Sequence, residues 1–367
     1  MITLIPISIL TDKIKRALFR FHQIKAETGI GYFRILVDFI TLNRKINISF
    51  TEYFNFQFEK QHENFRNTFL SSKNKKKYLS ILNPRKYYIL ARNKYLTHLY
   101  LENHNIRKAD LFCYYNPNNR SHHRTVAYDY NSVLEILKTK NVEQCILKPV
   151  ESSHGDGVWL INKVEYTKNE CRLHRFDGAI IGLSELLSKE PLIFESYIEQ
   201  TEQFKRFNPS SVNTIRFITT LYPGGDARLI AAFLKIGKGG ACIDNAGSGG
   251  NIMAEVDPYT GQILAVTQFD GWRKTKPITH HFDTGELLEG VTINNWNDIK
   301  ETVLQYQQSN PFLKAIGWDI AITDNGPVVI EINDEWDSTG QLINKQGWKK
   351  DIKECYDQWV KYSNSIT

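Results

Sequence analysis

Gly317-Trp-Asp-Ile-Ala-Ile-Thr-Asp-Asn-Gly-Pro-Val-Val-Ile-Glu-Ile-Asn333 reads as two apolar runs on either side of a turn signal. In a strand, residues two apart share a face, so Glu331 and Asn333 point one way while Ile330 and Ile332 point the other. A three-residue loop, Asp324-Asn325-Gly326, pairs Thr323 with Pro327 and, counting back, Asp319 with Glu331. Glycine in the last position of such a loop is a common hairpin connection. A two-residue loop slips the register by one and breaks the alignment. In the first register Asp319, Glu331 and Asn333 form a set of oxygen ligands on one face. That set suits Mg²⁺, which takes one or two carboxylates and completes its shell with water and phosphate oxygens. A solvent-facing edge hairpin gives the same alternation. The flanking Gly317-Trp318 and Asp334-Glu-Trp-Asp337, dense in acids and tryptophans, are an odd choice for a plain edge.

Upstream lies a block of strands: Thr214 to Tyr222, Arg228 to Ile236, Ile252 to Val256 and Ile263 to Phe269. Gly224-Gly225, Gly239-Gly240 and Pro258-Tyr-Thr-Gly261 supply its turns. Arg216 sits inside the apolar run Thr214 to Thr219, and an arginine in a strand core needs an anion, either a structural partner or a phosphate. Gly247-Ser-Gly-Gly-Asn251 is a polar loop before a strand, fit for a phosphate or a simple turn. Further upstream, Lys148 ends the apolar strand Cys145 to Pro149, and Gly157 to Ile161 returns as its hairpin partner. The loop between them holds Gly155 and Gly157, which let backbone N–H groups approach a ligand. Leu192 to Ile198 reads as a buried strand. Neither a Walker A motif nor a dinucleotide fingerprint is present.

Residues 1 to about 110 read mainly as helices, with Ile14, Leu18 and Phe21, and then Tyr32, Leu36 and Phe39, at helical spacing. Leu111 to Tyr115 reads as a strand. The chain closes on a helix striped by Trp348, Ile352, Cys355 and Trp359. Lys73, Lys75, Lys76 and Lys77 read as a solvated helix face, or as a patch for an anionic membrane surface or glycan.

With 41% hydrophobic, 23% charged and 12% aromatic residues in 367, the composition is that of a globular chain of two to three domains. A net charge of +6 suits an anionic ligand without demanding nucleic acid, and no aromatic-basic motif for nucleic acid is apparent. No stretch reaches the length of a spanning helix, and Met1 to Leu10 lacks the basic start and cleavage site of a signal peptide. Five scattered cysteines read as reduced thiols, which places the expected location in the cytoplasm.

The order of these pieces resembles the ATP-grasp superfamily, and within it the sugar-transfer-associated ATP-grasp family of polysaccharide-synthesis proteins. The matching text is Lys148-Pro149, Gly155-Asp-Gly157, Asn213-Thr-Ile-Arg216, Asp244-Asn245, Gly249-Gly250, Gly317 to Ala321 and Glu331-Ile-Asn333, with Tyr53-Phe54 and the stretch from Asn83 to Lys94. The resemblance covers about residues 50 to 345. It implies an α+β fold in which two subdomains, residues 111–200 with the glycine loop and 201–345 with the metal site, grip ATP. A helical region, residues 1–110, precedes them and a C-terminal helix, residues 346–367, follows.

It also implies roles. Lys94 and Lys148 contact phosphates, Gly155 and Gly157 close over them, and Glu195 and the Ile198 backbone lie near adenine. Asn251 joins the nucleotide site, Arg216 and Lys148 serve catalysis, and Asp319, Glu331 and Asn333 hold Mg²⁺. Glu199 and Glu202 are alternatives for the ribose. The implied reaction is ligation of a small-molecule or glycan carboxylate to an amine through an acyl phosphate, with a substrate site near Arg216, His281 and the 334–337 segment. A kinase of a sugar or other hydroxyl, and a non-catalytic nucleotide-binding module, are the alternatives. Peripheral membrane contact is compatible with the basic N-terminal part.

Overall fold

The computed structural model describes residues 7–118, 125–152, 157–167, 170–187, 190–238, 251–271 and 273–366. The chain starts with helices α1 (Ile7–Thr28) and α2 (Tyr32–Ile46), then a run of short helices, α3 (Ser72–Leu82) and α4 (Lys94–Asn103). Two seven-stranded sheets follow. The first holds β1 (Leu111–Tyr115), β2 (Val126–Ala127), β3 (Cys145–Pro149), β4 (Trp159–Tyr166), β5 (Cys171–Arg175), β6 (Ile180–Gly182) and β7 (Leu192–Glu195), in the order β2-β1-β7-β3-β4-β5-β6. Helix α5 (Tyr130–Thr139), in a stretch for which the sequence reading offered no element, packs Val133 and Leu137 onto this sheet.

The second sheet holds β8 (Thr214–Leu221), β9 (Ala227–Ile236), β10 (Asn251–Val256), β11 (Ile263–Phe269), β12 (Thr275–Ile278), β13 (Ala315–Thr323) and β14 (Gly326–Asn333), in the order β12-β11-β10-β9-β8-β13-β14. Its two faces differ. On one, Ile215, Phe217, Leu234, Trp318 and Ile320 pack against Trp296, Ile299 and Val303 of α6 (Trp296–Gln308). The opposite face is apolar for only part of its length. There Ile218, Ala231, Phe233 and Met253 meet Tyr78 and Leu79 of α3, and Ile352 and Cys355 of α7 (Lys349–Ile366). At the other end of that face the alternation places Thr214, Arg216, Lys235, Gly317 and Asp319.

The β13–β14 hairpin corrects the expected turn. Thr323 pairs with Gly326, so the loop is the two residues Asp324-Asn325. Gly326 takes φ 103°, a conformation that favours glycine. Continued without interruption, that register sets Ile330 opposite Asp319 and turns Glu331 into the apolar core. A bulge between Ile320 and Asp319 absorbs one extra residue, and Asp319 pairs with Glu331 after all. Val329 and Ile332, three apart, consequently enter the same core.

The N-terminal region has its own aromatic core of Tyr53, Phe58, Phe65 and Phe69, which receives Ile24, Ile35, Leu42 and Ile46 from α1 and α2. The Lys73 to Lys77 run is not a uniformly solvated face: Lys75 is buried and donates to the Trp336 carbonyl. Leu192 to Ile198 is strand only as far as Glu195. Cys113, Cys145, Cys171 and Cys355 are buried and unpaired, and burial pushes the Cys171 thiol to about 11 and those of Cys113 and Cys355 to about 12. Cys242 lies outside the described residues. Among the described residues no helix is long and apolar enough to cross a membrane.

Arg273, with a side chain 1% exposed, staples the N-terminal region to the loop between β11 and β12. It donates to Glu27 and Glu59, each at 2.6 Å, and to the Phe54 carbonyl, also at 2.6 Å. The bond from Arg273 holds the Glu27 carboxyl at about 2. A carboxyl depressed on folding stabilises above its unfolded value and loses that contribution as pH falls toward the folded one. Arg273→Ala leaves Glu59, whose side chain is 1% exposed, without its ion pair. It should lower stability by about 3 kcal/mol at neutral pH. The gap between variant and parent in urea unfolding should be widest above the ordinary carboxylate range and shrink as pH drops toward 2.

Candidate active site

The site begins with the register. Arg216 lies directly opposite Asp319, and Asp319 directly opposite Glu331, so three charged residues form one row across β8, β13 and β14. Arg216 grips Asp319 with two nitrogens: Nε donates to Oδ1, and Nη2 donates to Oδ2 at 2.7 Å. Lys235, paired with Thr214 in the β8–β9 ladder, brings its Nζ to 3.1 Å from the same Oδ2. All three are buried. Burial opposes the Asp319 charge, yet Arg216 and Lys235 outweigh it and hold the carboxyl at about 2. Glu331 goes the other way. Burial and the neighbouring Asp319 charge push its carboxyl up, and among the described residues it has no hydrogen-bond partner. Asn333, at the end of the row, donates from Nδ2 to the Gly317 carbonyl at 3.3 Å.

A second cluster stands on the first sheet. Lys148 on β3 places Nζ 2.5 Å from Glu195 Oε2 at the end of β7, and His98 of α4 meets Oε1, also at 2.5 Å. Burial disfavours the Glu195 charge, but Lys148 and His98 prevail and hold it at about 2. Lys94, the first residue of α4, stands between the clusters. Burial pushes its ammonium down; Glu331 from one sheet and Glu195 from the other resist, and Lys148 adds to the depression. Its Nζ donates to the Ser152 carbonyl and hydroxyl, at 2.8 and 3.0 Å, where the glycine loop begins. Gly155 lies outside the described residues. Gly157 takes φ 73°, and a side chain there would come within 2.8 Å of the Pro149 ring. Glycine therefore lets the loop return against its own start.

The other expected residues fall as follows. Asn251 is fully buried at the start of β10, where its Oδ1 accepts from the Lys238 backbone at 3.2 Å. Asp244, Asn245, Gly249 and Gly250 lie outside the described residues. Ile198 follows Glu195 in an irregular, half-buried segment. Glu199 is exposed and pairs with Lys205 at 2.7 Å. Glu202 lines a cavity of about 560 Å³ at the turn end of the hairpin, with Arg107, Asp298 and Thr323. His281 is buried and fully occupied with backbone: Nε2 donates to the Gly237 carbonyl at 3.0 Å, and Nδ1 accepts from Asp283 and Thr284, each at 3.3 Å. Asp334 is gripped by Arg92 through bonds of 3.0 and 2.8 Å.

Sequence reasoning missed Lys235 and His98. The signal for Lys235 was there: a single charge within Ala231-Ala-Phe-Leu-Lys-Ile236, the same anomaly that marked Arg216. His98 had no signal, because its partner Glu195 is 97 residues away.

As donors, Asp319, Glu331 and Asn333 fit a hard divalent cation. Glu331 has no hydrogen bond or ion pair among the described residues, and burial and the Asp319 charge outweigh the more distant Arg216, Lys235 and Lys94, so its charge is under-compensated. Among the described residues there is no set of three or more His, Cys, Asp and Glu placed to hold a metal, so Asn333 and non-protein oxygens complete any shell.

The sugar-transfer-associated ATP-grasp family model matches residues 73–356. Solved structures similar to this chain include D-alanine-D-alanine ligase from Helicobacter pylori, 17% identical with a TM-score of 0.38, covering 76% of this chain and 64% of that one. Biotin carboxylase from Campylobacter jejuni is 8% identical with a TM-score of 0.45, covering 76% and 48%. An ATP-grasp superfamily protein from Archaeoglobus fulgidus is 10% identical with a TM-score of 0.34, covering 73% and 57%. The match thus spans from about half to somewhat under two thirds of these chains. None of the curated proteins matches. The family match covers well over half of the chain, in the region that carries both charge clusters, and the protein belongs to the sugar-transfer-associated ATP-grasp family.

Proposed function

We propose that this protein binds Mg-ATP between its two sheets and phosphorylates a carboxylate, which an amine then attacks to form an amide. The observation that carries this reading is the convergence of Lys94, Lys148, Arg216 and Lys235 on the buried carboxylates Glu195 and Asp319 and the half-buried Glu331. ATP carries about four negative charges, and its transfer chemistry depends on cations fixed in advance around the phosphates. Two buried cations, Arg216 and Lys235, with the half-buried Lys94 and Lys148 beside them, have a high desolvation cost in any protein that does not use them.

In this reading Glu195, itself held by His98, positions the Lys148 ammonium toward the phosphates. Lys94 adds a second cation beside the glycine loop of Gly155 and Gly157. Asn251 belongs to the phosphate-facing loop, and the Ile198 backbone faces the adenine. Arg216 stabilises the transferring phosphoryl group, with Lys235 beside it. Asp319, Glu331 and Asn333 would hold Mg²⁺, which supplies neutralisation of phosphate charge. The step itself needs no protein nucleophile. The substrate carboxylate oxygen attacks the γ-phosphorus, ADP leaves, and the amine displaces phosphate from the acyl phosphate. Exclusion of water protects that intermediate. The family's association with sugar transfer supports a uronic acid or another glycan carboxylate as the acceptor, in the assembly of a polysaccharide or cell-surface glycan.

Phosphate release from Mg-ATP should require both an acid and an amine when uronic acids are screened against pooled amino acids. Lys148→Met and Glu331→Ala should each lower kcat/KM by at least about 100-fold. Phosphate found on the substrate instead would make the enzyme a kinase, and absence of Mg-ATP binding would remove the reading altogether.

The same residues should separate stability from function. A carboxyl raised on folding costs stability at pH values above its raised position. Glu331→Gln should therefore raise the Tm of the nucleotide-free protein by about 1–3 °C while turnover is lost. Arg216→Met leaves the buried Asp319 with Lys235 alone and should cost about 3 kcal/mol. Differential scanning calorimetry of both variants checks the pair of signs.

A further inference from the structure

We propose that α1 and α2 together form a docking surface for an anionic lipid bilayer. The inference is independent of the nucleotide reading and concerns a part of the chain that precedes the matched family region. Both helices turn one side inward, where Ile24, Ile35, Leu42 and Ile46 fill the aromatic core. They also carry a second apolar side that nothing covers among the described residues. On α2, Phe33, Leu36, Val37 and Ile40 follow the spacing of one helix face and are all exposed, Phe33 by 79%. On α1, Ile14 and Leu18 lie one turn apart and are exposed by 51% and 63%. One further turn along α1, His22 Nδ1 lies 2.9 Å from the Tyr32 hydroxyl at the start of α2, and Lys25 sits over the same ring. The two rows therefore adjoin. Contiguous apolar surface of this kind on a soluble chain marks an interaction site.

Charge selects the occupant. Lys15, Arg16, Arg34, Arg44 and Lys45 are exposed. Of the three acids on the same helices, Glu27 pairs with Arg273 and Lys60, Asp38 accepts from Tyr53 at 2.7 Å and from Arg66, and the exposed Asp12 is outnumbered by these basic residues. The outer side is thus apolar and basic, the composition of a helix that lies in the interface of an anionic membrane. A symmetric contact with a second copy would set these cations against one another. Neither helix is apolar enough to span a bilayer, so the mode is surface attachment.

Flotation of the full chain with vesicles tests this. The protein should partition onto vesicles of phosphatidylcholine mixed with phosphatidylglycerol, and far less onto phosphatidylcholine alone. Phe33→Asp combined with Leu36→Asp should reduce binding at least about tenfold. Arg34→Glu combined with Arg44→Glu should reduce it about fivefold or more for each charge, and added salt should weaken the parent in the same sense. All these side chains are exposed, so melting curves should be unchanged. Failure to bind the mixed vesicles overturns the proposal. So does equal, salt-insensitive binding to both vesicle types, or a dimer in sedimentation that the Phe33/Leu36 variant dissolves without any vesicle binding.

Discussion

The grip of Arg216 and Lys235 on the Asp319 carboxylate is the constraint from which the rest of the molecule can be read. Three charges buried together in a sheet are tolerated only when each is matched. The match depends on register: Asp319 must face Arg216 on one side and Glu331 on the other. Much of the neighbouring architecture serves that alignment. One face of the second sheet is filled with aromatic and branched residues under α6. The other is covered by α3 and α7 only up to the point where the charges begin.

Glu331 shows where the balance is left incomplete. Asp319 has two cations and Glu195 has two partners in direct contact, whereas Glu331 has no hydrogen bond or ion pair among the described residues and feels Arg216, Lys235 and Lys94 only from further off. The deficit lies on the edge of the row, facing Lys94 and the cluster of the first sheet. In an otherwise closely matched set of charges, such an imbalance is a place where structure is held in readiness for a ligand and stability is given up for it.

The central strands of both sheets and the acidic hairpin were legible because alternation and turn residues are local signals, whereas the short strands β2, β5, β6 and β12 went unread. Arg216 stood out for the same reason, a charge inside an apolar run. The register was reached by the wrong route: Asp324-Asn325-Gly326 invites a three-residue loop, and nothing local announces the bulge that compensates for a shorter one. Lys75 was misread as part of a solvated face because its partner, the Trp336 carbonyl, is 261 residues away. His98 escaped for the same reason. Contacts across such separations leave no period in the sequence.

Asn83, fully buried, holds both ends of the acidic hairpin. It accepts from the Ala315 backbone at 3.0 Å and donates to the Ala315 and Asp334 carbonyls at 2.6 and 2.8 Å. One amide thus acts as a clasp on the first residue of β13 and the residue just after β14. The spacing of the carboxylates is inherited in part from a position more than 200 residues upstream. Alterations around Asn83 can therefore shift the carboxylates from a distance, while every residue of the two charge clusters remains unchanged.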